Sequence, residues 1–237
     1  MKLSYLKVHF LLISILVLIA TRGYSSTCYY DPGDMNKSGD NYYSSTWNCN
    51  QRKISKYWDD FNMMRPYWND GMGYHDVCNI EKPLGRIMVS IYALEKSKNA
   101  KQKGSILNWA YDYAVGNIST LKVDCGDGNT NAENFLSTVT FYFSGIYGGK
   151  SVVRRSGILL HESRHTRKFH NAGSKCASGG SCDSTWEYGG ANQYHVLWLW
   201  WFGRHGKNTT PAMKNDALRD ARWRHDNRFV VNPGKNI

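Results

Sequence analysis

His161-Glu162-Ser163-Arg164-His165 is an HExxH pentad in the middle of a stretch, residues 151–168, whose hydrophobic spacing predicts a helix. Four residues advance a helix by about 400°, so the two histidines lie within roughly 40° of each other on one face. Both imidazoles can then bind one Zn²⁺ ion at about 2.0–2.1 Å. Glu162 points about 100° away, where its carboxylate reaches water rather than the metal and can act as general base. The pentad therefore predicts a zinc site with a catalytic glutamate.

The third zinc ligand stays open between His170 and Glu187. On a continuous helix His170 would lie about 140° round from His165. It can bind the same metal only if the helix ends near Lys168, and Gly173 allows such an end. His170 is therefore a ligand on one condition, which concerns the end of the helix.

Glu187 would reach the metal from the next predicted helix, residues 184–202. The first residues of that helix, Ser184-Thr-Trp-Glu187, also match a capping box, in which the glutamate caps its own helix. Asp183 and His195 are further candidate ligands. The sequence does not choose among these residues.

Working outward, a strand is predicted over Phe135–Phe143, because apolar Val139, Phe141 and Phe143 alternate with more polar neighbours. Residues 123–134 are rich in Gly, Asn and Asp and predict a loop. Further helices are predicted around 54–63, over 84–95 and 106–115, and from Thr210-Pro211 onward, with Thr as N-cap and Pro as first helical residue. These elements predict an α+β fold, mainly helical with a small sheet.

A strand followed by a helix that carries HExxH resembles the zincin metallopeptidases, over roughly residues 135–200. The resemblance implies a zincin-like domain in which His161 and His165 bind zinc and Glu162 serves as base and acid in peptide hydrolysis. It also implies that the strand is an edge along which a peptide or protein substrate pairs. A Glu187 ligand would resemble the gluzincin arrangement. The run HE-x-R-H-T, with the two cysteines and Gly-Gly-Ala that follow, also resembles uncharacterised secreted bacterial proteins.

Arg164 and Arg167 depart from the zincin pattern, which usually has uncharged residues between the histidines. A cation beside Zn²⁺ is repulsive unless an acidic ligand or an anionic substrate offsets it. Arg164 therefore has two interpretations. It binds a carboxylate of the substrate, or it pairs with a nearby acid of the chain.

Residues 1–25 are predicted to be a secretory signal peptide. Lys2 and Lys7 precede an apolar run, Phe10–Ala20, which is shorter than the roughly 20 residues of a membrane span. We expect cleavage before Ser26 and a secreted or periplasmic protein with no integral membrane association. Residues 26–237 are expected to form a single domain, with a loop-rich, aromatic part over 26–75.

The chain has six cysteines and no CxxC motif, which disfavours a zinc finger or a thioredoxin-like site. An even count in an exported chain predicts disulfides. Cys176 and Cys182 close a short loop and are the simplest pair. Such a link would fix a third ligand that comes from residues 170–187.

The formal net charge is +11, yet no nucleic-acid-binding motif accompanies it, so we expect no specific nucleic acid partner. Anionic envelope polymers are a possible partner for an exported basic chain. The sequence predicts a secreted zinc metallohydrolase that cleaves peptide bonds. One alternative is an exported zinc-binding structural or binding protein without turnover. Another is a basic, aromatic-rich module that binds polysaccharide or nucleic acid, with an incidental HExxH.

Overall fold

The computed structural model describes residues 47, 49–126, 128–147, 151–207 and 209–234. The predicted signal peptide and Cys28 lie outside these residues. The helices are α1 Gln51–Asp60, α2 Pro83–Lys96, α3 Ala110–Asn117, α4 Phe143–Ile146, α5 Val152–His165, α6 Ala191–His205 and α7 Pro211–Asn227. The strands are β1 Thr120–Asp124, β2 Ala132–Phe135 and β3 Thr138–Tyr142. Short 3₁₀ helices cover Arg65–Tyr67, Asp70–Met72, Tyr74–Asp76, Ile106–Asn108 and Trp186–Tyr188.

The three strands form one mixed sheet in the order β1-β3-β2. β1 runs parallel to β3, with Leu121 beside Val139, and β2 runs antiparallel to β3. A two-residue turn, Leu136 and Ser137, joins β2 to β3, and both residues have positive φ angles of 49° and 63°. This is the backbone of a tight hairpin whose twist matches that of the sheet. The fold is therefore α+β and mainly helical, as the sequence predicts.

Helix α5 is the central element of the fold. It packs against α2, α3 and α6 and against strand β2, while α6 packs against α7. The Ser156 hydroxyl donates to the Ser90 carbonyl of α2 at 2.8 Å, and the Trp198 indole of α6 donates to the Val153 carbonyl at 3.1 Å. Apolar side chains on every side of α5 are buried, so neighbouring elements fix its position and rotation.

The predicted elements are found with shifted ends. The N-terminal helix lies at Gln51–Asp60 rather than 54–63, and the 106–115 segment divides into a 3₁₀ turn and α3. α7 begins as predicted, with the Thr210 hydroxyl accepting from the Met213 amide. The helix predicted over 184–202 is instead a 3₁₀ turn followed by α6, because Gly189 adopts a left-handed φ of 69° that ends the turn.

Two predictions about the sheet are wrong. Residues 123–134 were expected to be a loop, yet they include the end of β1 and most of β2. The strand over 135–143 was expected to be an edge, yet β3 is the middle strand because β1 and β2 pair with its two sides. The edge strand that lies against α5 is β2.

Disulfides join Cys176 to Cys182, as predicted, and Cys49 to Cys78. Cys125 is also disulfide-bonded, and its partner lies outside the described residues. Within the described ranges, no helix has both the length and the apolar composition that a membrane span requires.

Candidate metal centre

Three histidines meet at the C-terminal end of α5. His161 and His165 come from the helix itself, and His170 comes from the loop that follows. One ring nitrogen from each lies within 4.8 Å of the others. α5 ends at His165, with Thr166 as its C-cap. The condition that the sequence set for His170 is therefore met, and these three imidazoles can hold one metal ion.

The spacing of the two helix histidines fits a tetrahedral metal. Nε2 of His161 and Nε2 of His165 are 3.2 Å apart. Two nitrogens bound at about 2.0–2.1 Å to one tetrahedral zinc lie roughly 3.3–3.4 Å apart. A set of imidazoles suits zinc and other transition metals better than calcium or magnesium, which prefer oxygen ligands. The donor set and its geometry therefore fit a zinc ion.

Hydrogen bonds orient two of the three imidazoles. Nδ1 of His165 lies 3.0 Å from the Lys168 carbonyl, and Nδ1 of His170 lies 2.8 Å from a carboxylate oxygen of Asp183. A carbonyl or carboxylate accepts the proton of Nδ1, which leaves the lone pair on Nε2 available to a metal. Nδ1 of His161 is buried and has no hydrogen-bond partner among the described residues.

Asp183 is the buried anchor of the loop that carries His170. Its second carboxylate oxygen accepts the Asn192 amide of α6 at 3.1 Å, and its own backbone amide donates to the Arg228 carbonyl at 3.1 Å. A side chain on Gly190 would place its Cβ 2.5 Å from the Asp183 carboxylate, so the close approach depends on glycine. Asp183 was a candidate ligand; in the structure it supports a ligand.

The Cys176–Cys182 disulfide lies in the same loop, between His170 and Asp183. The Cys182 amide donates to the Gly173 carbonyl at 2.8 Å, and the Ala172 amide donates to the Cys182 carbonyl at 3.2 Å. The short covalent ring and these two bonds order the segment on both sides of the cysteines. The disulfide thus limits how far His170 can move from the helix pair.

Glu162 lines the same cavity of about 490 Å³ as the three histidines. Its side chain is buried, and burial, with Glu133 adding to it, raises the pKa of Glu162 to about 8. A carboxyl group with a pKa near neutrality can take a proton from water and return it to a leaving group. Glu162 therefore shares the cavity of the three histidines, and its carboxyl exchanges a proton near neutral pH.

Burial also keeps the histidines neutral. It lowers the pKa of His161 well below the usual range, with the neighbouring His165 adding to the effect. It lowers the pKa of His165 to about 4, with His170 adding to the effect. Neutral imidazole is the form that binds metal ions, so both residues are ready for a metal at pH 7.

Arg164, within the motif, and Arg167, just after it, are not among the residues that line the cavity. Arg164 donates through Nε and Nη2 to the Gly189 carbonyl, at 2.9 and 2.7 Å, and its guanidinium stacks 4.5 Å from the centre of the Tyr194 ring. Arg167 donates to the Asn117 side chain at 2.8 Å. Arg164 therefore ties α5 to the start of α6, and among the described residues it pairs with no acid.

Glu187 is not part of the histidine group. It is exposed on the 3₁₀ turn Trp186–Tyr188. The expected capping box is also wrong, because Thr185 caps this turn through its hydroxyl, and Ser184 accepts from the Asn171 side chain instead. Of the two candidate third ligands, only His170 lies with the helix pair.

His195 packs behind the centre, with its ring 5.7 Å from that of His161. It is buried and lines the cavity, although it is outside the group of three. A Cβ on Gly157 would lie 2.5 Å from Nε2 of His195. Gly157 thus allows α6 to bring His195 close to the helix that carries the motif.

Three further cavity residues carried no signal in the sequence. Asn134 of β2 donates to the Glu162 carbonyl at 2.7 Å and to the Thr166 hydroxyl at 2.9 Å, which holds the strand against the end of α5. Arg224 and Arg228, from α7 and the residue after it, form the opposite wall. The sequence shows them only as part of a basic cluster, because their approach to the cavity depends on how α7 packs.

No protein-family model, no curated protein and no solved structure matches this chain.

Proposed function

We propose that this protein is an exported zinc metallopeptidase. The observation that carries the proposal is the meeting of three imidazoles, His161, His165 and His170, in one cavity with the buried carboxyl of Glu162. Three protein ligands leave a position for water or substrate, which is typical of catalytic rather than structural zinc sites. A carboxyl beside that position supplies the proton transfers that hydrolysis needs.

His161, His165 and His170 would hold the ion. Zinc bound there would polarise the peptide carbonyl and lower the pKa of water to about 7. Glu162 takes the proton from the attacking water and gives it to the leaving amine. Asp183 holds the His170 ring through Nδ1, so the ligand keeps its orientation while the charge in the cavity changes.

The position of β2 at an edge of the sheet is an argument for a peptide substrate. Among the described strands, β2 pairs with β3 alone, and its residues Ala132, Glu133 and Asn134 line the cavity. An extended peptide can add to such an edge through main-chain hydrogen bonds. A substrate lying along β2 would bring one of its peptide bonds to Glu162 and the histidines.

Export is supported by the disulfides, which are typical of oxidising compartments. The proposed location is secreted or periplasmic, with the N-terminal residues serving as the signal peptide. Basic residues at the surface would also meet anionic envelope polymers there.

The test measures zinc content and peptidase activity of the secreted, oxidised protein. We expect one zinc per chain, and cleavage of casein or of a quenched-fluorescence peptide mixture. Glu162→Gln should keep the zinc and lower kcat by about 10²–10⁴, because it removes the proton acceptor and keeps the shape. The matched control is Glu187→Gln, the same change at an exposed glutamate, which should keep both zinc and activity.

Two results would contradict the proposal. Protein that binds no zinc, even when zinc is added, would remove the metal centre. Protein that binds one zinc and cleaves no peptide would instead favour the alternative of an exported zinc-binding protein without turnover. Peptidase activity that is unchanged in Glu162→Gln would separately contradict the role of Glu162 as general base.

A further inference from the structure

Arg224 and Arg228 line two neighbouring spaces. One is the cavity of the histidines, and the other is an adjoining cleft of about 370 Å³. Asn131 also lines both, so the two spaces share a wall. A ligand in the histidine cavity can therefore extend towards the arginines.

The cleft has an excess of positive charge. Four of its residues are arginines, namely Arg154, Arg219, Arg224 and Arg228. Among the described residues, two carboxylates pair with them. Asp220 lies 3.5 Å from Arg154 and 3.2 Å from Arg224, and Asp216 pairs with Arg154 and Arg219. Four arginines share two aspartates, which leaves an excess of two positive charges among these described residues.

Of the four arginines that line the cleft, Arg228 has the fewest partners among the described residues. No carboxylate of the described residues lies within 4.0 Å of its guanidinium, and its Nε is buried without a hydrogen-bond partner. Its guanidinium lies 5.5 Å from the centre of the Trp223 ring, which supports one face. A buried donor without an acceptor is costly, and an anion bound in the cavity would satisfy it.

The cavity is divided by charge. Glu162 and Glu133 lie on the side of α5 and β2, and Arg224 and Arg228 lie on the side of α7. Arg224 lines the same cavity as His161, which places its guanidinium beside the centre. A bound molecule therefore meets the histidines between the carboxyl groups of Glu133 and Glu162 and the guanidinium groups of Arg224 and Arg228.

We infer that the substrate binds with a carboxylate against Arg224 and Arg228, on the α7 side of the metal centre. The planar fork of a guanidinium matches the two oxygens of a carboxylate. The inference rests on the proposed function and narrows it: the preferred substrate is a peptide with a carboxylate close to the bond that is cleaved. That carboxylate is either the C-terminus of the peptide or an Asp or Glu side chain.

The experiment uses the zinc-loaded full chain and matched peptides. One pair differs only in a free or amidated C-terminus, and the other pairs differ only in Glu or Gln at one position. We expect one acidic member to have a kcat/KM roughly 10- to 100-fold above its neutral partner, as for hydrogen bonds between charged groups. The pair that shows the preference identifies the source of the carboxylate.

Arg228→Gln should abolish that preference by raising KM for the acidic peptide, with little change for the neutral one. Arg224→Gln serves as an independent variant should the first one fold poorly. The matched control is Arg222→Gln, which removes one positive charge from the exposed side of α7 and should keep the preference. Zinc content is measured for every variant.

Equal cleavage of all matched pairs by the wild type would overturn the inference. So would an equal loss of kcat on acidic and neutral peptides in Arg228→Gln, since that would place the arginine on the reacting group. If the wild type cleaves no peptide, the proposed function fails. Calorimetry then measures how tightly the same peptides bind, and this result tests the inference about the carboxylate. Tighter binding of the acidic peptide that depends on Arg228 supports the inference, and equal binding overturns it.

Discussion

The three histidines that could hold a metal ion come from two differently built regions. His161 and His165 share one face of α5, where helix geometry alone sets their spacing. His170 lies in an irregular loop, and its position depends on Asp183, on the Cys176–Cys182 link and on α6. A regular element thus supplies two ligands by its geometry, whereas the loop needs contacts with residues distant in the sequence to supply one.

The difference shows where a metal site is robust. A substitution on the helix either removes one histidine or leaves the pair intact. In the loop, substitutions of the residues that hold His170 should weaken metal binding in steps.

Removal of a ligand from either region should have the largest effect. His165→Ala and His170→Ala should each weaken zinc binding roughly a thousandfold, about a third of the binding free energy typical of protein zinc sites. Competition with a chromophoric chelator measures the affinity. The exposed His75 gives the control, His75→Ala, which should keep the wild-type value. Unchanged affinity in His170→Ala would show that the loop supplies no ligand.

Asp183→Asn should weaken zinc binding by about 10- to 100-fold, the usual effect of losing the partner of a ligating histidine. The amide keeps the shape but removes the charge that holds the proton on Nδ1 of His170. The same chelator competition gives the affinity, and Asp112→Asn is the exposed control. An affinity equal to wild type would mean that the loop ligand needs no carboxylate support.

Replacing Cys176 and Cys182 together by serine should lower the free energy of unfolding by about 2 kcal/mol, as expected for so short a loop. Zinc affinity should fall as well, because His170 gains freedom. Urea unfolding and chelator competition give the two values. Replacing Cys49 and Cys78 by serine is the matched control. That variant should lose stability without losing zinc affinity, since these cysteines are not among the residues that line the cavity.

Asn134→Ala tests the helix region and should have the smallest effect. The variant loses side-chain bonds to the Glu162 carbonyl and the Thr166 hydroxyl, so the free energy of unfolding should fall by roughly 1 kcal/mol. Zinc affinity should change less than twofold, because α5 itself spaces the histidines. Asn232→Ala is the exposed control. A tenfold loss of affinity would contradict the idea that helix geometry suffices.

The sequence predicts most of the helices, because their signals, hydrophobic spacing and N-caps, are local. Leu84, Ile87, Met88, Ile91 and Leu94 show the period of α2, and all are buried. The sheet is harder to predict. Its hairpin turn, Leu136-Ser137, lacks the Asn-Gly or Asp-Gly signature, and β2 has only four residues. Pairing with β3 rather than local propensity makes it a strand.

In the candidate site, too, the residues set by local spacing could be predicted and those set by packing could not. The pentad gives the helix pair and Glu162 because their spacing is a local property. His170 could be chosen over Glu187 only once the end of α5 and the path of the following segment were known. That path depends on Gly189 and on Asp183. Arg228 could not be found at all, since its side chain reaches the cavity only through the packing of α7 on α6.

The orientation of Arg164 has a consequence for searching other sequences. A positive charge between the two histidines looks unfavourable as long as every residue of the motif is assumed to face the ion. Here a carbonyl accepts hydrogen bonds from the guanidinium and an aromatic ring stacks on it, on another side of the helix. Screens of unassigned proteins should therefore keep HExRH sequences when a glycine-ended turn and a tyrosine follow about 25–30 residues later, the spacing from Arg164 to Gly189 and Tyr194.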